Sequence, residues 1–232
     1  MNKILASLLP KVTEDHNPEG FFTQKWNEDD MGRLKDHLRK HSMDSSSGED
    51  RTMYSELLEI PNDDLAFLCN ECVAQGGGLS ISLESCFLKA IMILIHWHIF
   101  DWAEARGLIL PAQTGFRPGY RTNNNPFILR CLKEWARAHG TIDKISKWYL
   151  THGFTFYVAC VDFINAFLST DQPTLWLKLF RLGMGGKIFD WLCMLYDRMA
   201  YYVKHGDMES AQFKALIGLL TGDPASPILW NI

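Results

Sequence analysis

The chain has no excess of basic charge. Its 23 lysines and arginines face 27 aspartates and glutamates, a formal net charge of −4. That balance argues against a general binder of polyanions. A long apolar run is also missing. The nearest approach, residues 86–100, is interrupted by Lys89, His96 and His98. It falls short of the roughly 20 residues that span a bilayer. A buried helix is expected there, and no membrane partner. His96 and His98 are two apart and point to different sides of a helix, so they make no metal pair. The apolar run after Met1-Asn2-Lys3 is too short for a secretory leader. An intracellular protein is expected, with nucleus and cytoplasm both open. No internal repeat is visible.

Cysteine pairs are scarce too. Of the six cysteines, Cys69 and Cys72 make a CxxC with no second pair to accompany it. A structural zinc site normally needs four ligands. Leu65, Leu68, Cys69, Cys72 and Val73 fall on one helical face, so core packing is expected. Most of the cysteines lie in apolar periodic runs, as reduced intracellular cysteines do.

What is present suits a globular chain that buries one sizeable core. Hydrophobic residues are 47 % and charged residues 22 %. Residues 1–100 hold 9 basic and 16 acidic side chains, and residues 101–232 hold 14 and 11. Nucleic-acid contact, if any, belongs in the second half. Composition sets apart residues 1–52, an N-terminal extension whose residues 41–50 read as a linker, from residues 53–232.

Periodicity predicts helices over residues 31–41, 53–60 and 62–75, with Asn62 as cap and Gly76-Gly77-Gly78 as stop. Another runs from Ser82 as cap, with Glu84 in its first turn, to Arg106, stopped by Gly107. Pro126 marks the first turn of a helix carrying Ile128, Leu129, Leu132, Trp135 and Ala136. Residues 173–182 form a helix ended by Gly183, with Asp171 as its cap. Ile188, Trp191, Leu192, Leu195, Tyr196 and Met199 mark the next. Residues 201–204 and 212–217 read as strands joined around Gly206-Asp207. Asp223 caps, and Pro224 starts, a last helix.

Residues 154–167 read as a buried strand that delivers Asp162 to its tip, where a carboxylate can serve as a metal ligand. A strand that stops at Asp because Asp favours turns has the same appearance. Arg117, Tyr120, Arg121 and Asn123-Asn124-Asn125 form a basic, turn-rich segment. Arg with Tyr can bind phosphates and stack bases, or the segment is a solvated loop. Gly222-Asp223-Pro224-Ala225-Ser226-Pro227 is a helix start whose amides suit phosphate, or an ordinary capped helix.

Three blocks in order, Gln113-Thr114-Gly115-Phe116-Arg117-Pro118-Gly119, Asp162 to Phe167, and Gly222 to Leu229, together resemble the reverse transcriptases of non-LTR retrotransposons. Their wording is similar to fungal copies of such elements, and the likeness is strongest from about residue 83 onward. The resemblance implies an α+β fold, predominantly helical with a few palm strands, holding part of the fingers and palm of a right-hand polymerase. It implies RNA-templated DNA synthesis with magnesium, an RNA template and a DNA primer.

By the same resemblance Asp162 is the catalytic metal ligand, with the backbone carbonyl of Phe163 helping. Phe167 is the bulky gate that excludes a ribose 2′-hydroxyl; taken singly it reads as a core aromatic. Gly222, Asp223, Pro224 and Ser226 support the template and primer. Gln113, Arg117 and Arg121 are candidate nucleic-acid contacts. Thr221 stands where many relatives carry Gln.

Two departures accompany these matches. No aromatic-x-Asp-Asp block follows; Asp29-Asp30 and Asp63-Asp64 lie far upstream. The segment between Val73 and Leu83 is too short for the basic strand pair that grips the triphosphate. A shortened, internally deleted and inactive copy is therefore expected. A non-catalytic nucleic-acid binder and a helical interaction module are the alternatives. Strand edges without partners offer a route to self-association.

Overall fold

The computed structural model describes residues 21–41, 52–75, 85–121, 123–140, 159–206 and 208–232. The described residues are predominantly helical. Helices α1 (Glu28–His41), α2 (Tyr54–Glu59), α3 (Asn62–Ala74), α4 (Cys86–Ala105), α5 (Asn124–Gly140), α6 (Gln172–Arg181) and α7 (Lys187–Arg198) come first. A two-residue antiparallel pair, β1 (Lys204–His205) and β2 (Met208–Glu209), and helix α8 (Ser226–Asn231) follow. The chain divides into two compact units, residues 1–108 with 165–232, and residues 109–164.

In the first unit α4 is the central helix. Leu88, Ala90, Ile91, Met92, Ile93, Leu94, Ile95, Ile99, Trp102 and Ala103 are all buried, so it is apolar nearly all round. Helices α1, α2 and α8 pack on it, and α3 packs on α1 and α7. By length and composition α4 could also cross a membrane, yet 61 % of its apolar window is buried within the protein. His96 and His98 part as their spacing requires. The His98 Nε2–H donates to the Phe21 carbonyl at 2.7 Å, and His96 stacks on Phe100.

The helix ends follow from local chemistry. Asn27 Oδ1 accepts from the Asp29 and Asp30 amides at 2.8 and 3.1 Å, and Asp30 reaches back to the Asn27 amide at 3.0 Å, a reciprocal cap for α1. Asp171 Oδ2 accepts from the Thr174 amide at 3.0 Å and caps α6 as its sequence predicts. Helices α4 and α6 end alike. Leu108 N bonds Ala103 O and Gly107 N bonds Glu104 O; Met184 N bonds Leu179 O and Gly183 N bonds Phe180 O. In each the glycine has positive φ, +64° at Gly107 and +100° at Gly183, so glycine is what lets the turn close.

Several expectations are corrected. Asn62 is inside α3, with Pro61 in the cap position; the Asn62 side-chain Nδ2 instead donates to the Glu28 carbonyl at 3.4 Å. Ser85 caps α4, its hydroxyl accepting from the Phe87 amide at 3.2 Å; Ser82, Glu84 and Gly76-Gly77-Gly78 lie outside the described residues. Leu65, Cys69, Cys72 and Val73 are buried, but Leu68 is exposed. Cys131 and Cys160 are exposed.

The last helix begins at Ser226, with Pro227 in its first turn, because residues 223–225 are held in a turn by Asp223. The two strands expected around Gly206-Asp207 shrink to the pair β1–β2 and one bridge between Tyr201 and Phe213. Asp207 lies outside the described residues.

The largest correction concerns the central strand. Residues 154–158 lie outside the described residues, and 159–163 are irregular. Val161, Phe163 and Ile164 are exposed. A strand is stable only when neighbours take up its amides and carbonyls, and this segment has no ladder among the described residues.

Candidate functional site

The expected site residues fall into the two units. In the first, a hydrogen-bonded crossing joins residues 167–172 to residues 218–219, just before the Gly222–Ser226 turn. The Leu219 amide donates to the Phe167 carbonyl at 2.8 Å, and the Gly218 amide to the Thr170 carbonyl at 2.7 Å. Gln172, itself buried, donates from Nε2 to the Gly218 carbonyl at 2.8 Å. The segments touch closely here: a Cβ on Gly218 would lie 3.0 Å from the Leu168 carbonyl oxygen. The Phe167 ring is half-buried and lies 6.0 Å from the Trp230 ring of α8, tilted by 50°.

The turn that follows is built on Asp223. Its Oδ1 accepts from the Ala225 amide at 3.3 Å, and its Oδ2 from the Ser226 hydroxyl at 3.2 Å. Since that hydroxyl gives its proton to the carboxylate, it accepts from the Tyr196 hydroxyl, 3.3 Å away. Tyr196 in turn accepts from the Leu220 amide at 3.4 Å. A relay thus joins α7, the crossing and α8. Loss of hydration pushes the Asp223 carboxyl up to about 6, against the opposing pull of its bonds from Ala225 and Ser226. Burial likewise raises the Tyr196 hydroxyl, with the Asp223 charge adding to it.

Sequence reasoning had Tyr196 only as part of a core stripe, and passed over Gln172, Gly218 and Trp230. A tyrosine hydroxyl within an apolar stripe needs a buried partner, which was the available signal for Tyr196. Nothing local marks the other three.

In the second unit, Gln113 and Arg117 fold over one turn. The Gln113 amide donates to the Leu110 carbonyl at 2.9 Å, and Arg117 Nη1 to the same carbonyl at 3.4 Å. The Arg117 guanidinium sits 4.9 Å from the centre of the Tyr120 ring, a cation–π pair at the surface. Arg121 is exposed, and its carbonyl accepts from the Asn124 amide at 2.9 Å where α5 starts. Asp162 and Phe163 are exposed as well. Residues 109–164 carry seven basic and three acidic side chains.

Among the described residues no three His, Cys, Asp or Glu side chains gather as a metal site. A polar cleft of ≈ 400 Å³ lies elsewhere in the first unit, beside the start of α1 and the middle of α4. Arg33 covers the Trp97 ring there at 4.2 Å, and Asp30 is held by its capping bond. No protein-family model matches the chain, and no curated protein matches its sequence.

Proposed function

We propose that the chain is part of a reverse transcriptase-like domain of the non-LTR retrotransposon type, ancestrally an RNA-templated DNA polymerase. In this reading residues 1–232 by themselves hold nucleic acid without extending a primer. The observation that supports it is that Phe167, at the end of one sequence block, is tied to the residues flanking another. The Phe167 carbonyl is bonded to Leu219 and its ring lies beside Trp230, on either side of Gly222-Asp223-Pro224-Ala225-Ser226 in sequence. A gate at the incoming nucleotide and a support for the template and primer end would adjoin one another, so this neighbourhood favours these roles.

Asp162 and the Phe163 carbonyl would then present a magnesium ligand, and Gln113, Arg117 and Arg121 would contact the template or primer. The residues present do not fit a two-ion site. Asp162 is a single exposed carboxylate, no metal-ligating cluster occurs among the described residues, and the sequence holds no aromatic-x-Asp-Asp block. No catalytic step is assigned to it.

A plain nucleic-acid-binding role for residues 109–164 is the second reading. Its support is their basic balance and the Arg117–Tyr120 pair, suited to a phosphate beside a stacked base. Fluorescence anisotropy on an RNA template–DNA primer tests both. Binding is expected to weaken steeply as salt rises from about 50 to about 200 mM. Replacing Arg117 and Arg121 by Ala is expected to weaken it about tenfold and to flatten the salt slope. Magnesium-dependent extension that Asp162→Ala abolishes would show a working polymerase instead. No binding even at low salt would sink both readings.

A further inference from the structure

Two helices turn apolar side chains outward, and the charges around them have opposite sign. The inward face of α3 holds Leu65, Ala66, Cys69, Cys72 and Val73, all buried. Its outward face carries Phe67, 64 % exposed, and Leu68, 42 % exposed, among Asp63, Asp64 and Glu71. On α5, Phe127, Ile128, Leu129 and Leu132 are exposed. A groove of ≈ 440 Å³ runs along this helix past Pro126, Leu129, Arg130, Lys133 and Glu134. Asp64, Phe67, Leu68 and Glu71 have the spacing i, i+3, i+4, i+7. So do Pro126, Leu129, Arg130 and Lys133. The first set is one ridge of α3, and the second is the row of α5 that lines the groove.

We propose that the chain associates head to tail, the acidic apolar ridge of α3 in one copy seating in the basic groove of α5 in a second copy. Phe67 and Leu68 would leave water against Pro126 and Leu129, and that burial supplies the attraction. Asp64 and Glu71 would meet Arg130 and Lys133, which sets the register and speeds encounter. Neither face suits itself: α3 on α3 sets carboxylates against carboxylates, and α5 on α5 sets cations against cations. A two-fold dimer through either is disfavoured. A heterologous contact leaves one face of each kind open, so assembly grows with concentration unless a ring closes. The pairing does not depend on the polymerase reading, and a failed primer-binding assay leaves it standing.

Sedimentation velocity of the nuclease-treated full chain over a concentration series tests it. The mean mass is expected to rise with concentration and to fall with added salt. Phe67→Ser and Lys133→Glu, both at exposed positions, are each expected to weaken association about tenfold or more. Each variant keeps one intact face. Mixed together, they are expected to form a one-to-one complex that grows no further. A monomer at every concentration, or variants that associate like the parent, would overturn the proposal. So would a mixture of folded variants that forms no complex. Association seen only before nuclease treatment, or only on added anionic vesicles, would assign α5 to nucleic acid or lipid and overturn it too.

Discussion

Residues 1–108 with 165–232 bury Ile91, Ile95, Ile99, Trp102, Leu192 and Leu229 almost completely, whereas residues 109–164 leave Phe127, Ile128, Leu132, Val161, Phe163 and Ile164 in water. Ile109 and Thr114 are what the second unit buries among its described residues. Charge divides along the same line. The first unit carries 16 basic and 24 acidic side chains, the second seven and three. Isolated helices are marginal in water, and most helical stability in proteins comes from packing an apolar face. The first unit has that packing around α4. Among the described residues the second unit shows no such packing, and the apolar side chains of α5 are exposed.

The sharpest test of this contrast sets two isoleucines against each other. Ile95, at 0 % exposure in α4, and Ile128, at 52 % in α5, are both helical. Ile95→Ala is expected to lower unfolding stability by about 2–5 kcal/mol, through lost burial and the cavity left behind. Ile128→Ala should stay within about 0.5 kcal/mol. Urea titrations of both variants measure this, and equal losses would break the comparison.

Next come two aspartates in opposite surroundings. Asp223 is partly withdrawn from water and its carboxyl is raised from 3.8 to about 6. A raised carboxyl holds its proton more tightly in the folded state. Its favourable contribution is complete below the unfolded value and is lost as pH rises through about 6. The wild type should therefore lose on the order of 2 kcal/mol, relative to Asp223→Asn, between about pH 4 and pH 7.5. Asn keeps an oxygen for the Ala225 amide and sets an NH2 where Oδ2 stood, so the Ser226 hydroxyl turns to accept there, and the charge is gone. Chemical denaturation of both proteins at the two pH values checks it, and parallel pH profiles would show that Asp223 is hydrated after all.

The smallest effect is expected at Asp162, which is exposed on an irregular segment. Asp162→Asn should change stability by less than about 0.5 kcal/mol. Millimolar magnesium should leave the melting temperature of wild type and variant alike, because a single carboxylate gives the folded state little preference for the ion. A rise of several degrees in the wild type only would reveal a competent metal site in the second unit.

Much of the helical framework was legible from the chain. The stripe from Ile188 to Met199 and the nearly encircling apolar run of α4 each report a burial pattern that repeats every turn, and each became a helix where its spacing placed it. Gly107, Gly183 and Asp171 mark ends through bonds made within a few residues. The candidate site was legible only in its residues. That Phe167 meets Leu219 and Trp230, or that Asp223 is tied through Ser226 to Tyr196, involves partners up to 63 positions apart. No local pattern encodes those meetings.

The sequence by itself determined where most helices lie, because the 3.6-residue period, the caps and the glycine stops act over one or two turns. Tertiary structure decided the rest. The run from residue 154 to 163 is rich in strand-forming types in sequence, yet a strand's hydrogen bonds come from other segments, and residues 159–163 join no ladder among the described residues. Leu68 has the same helical periodicity as its buried neighbours Leu65 and Cys72, and Ile128 is as apolar as Ile95, but burial depends on whether another element covers that side. Asp223 and Asp162 are the same residue with different chemistry, since hydration is set by everything folded around the carboxyl rather than by the side chain itself.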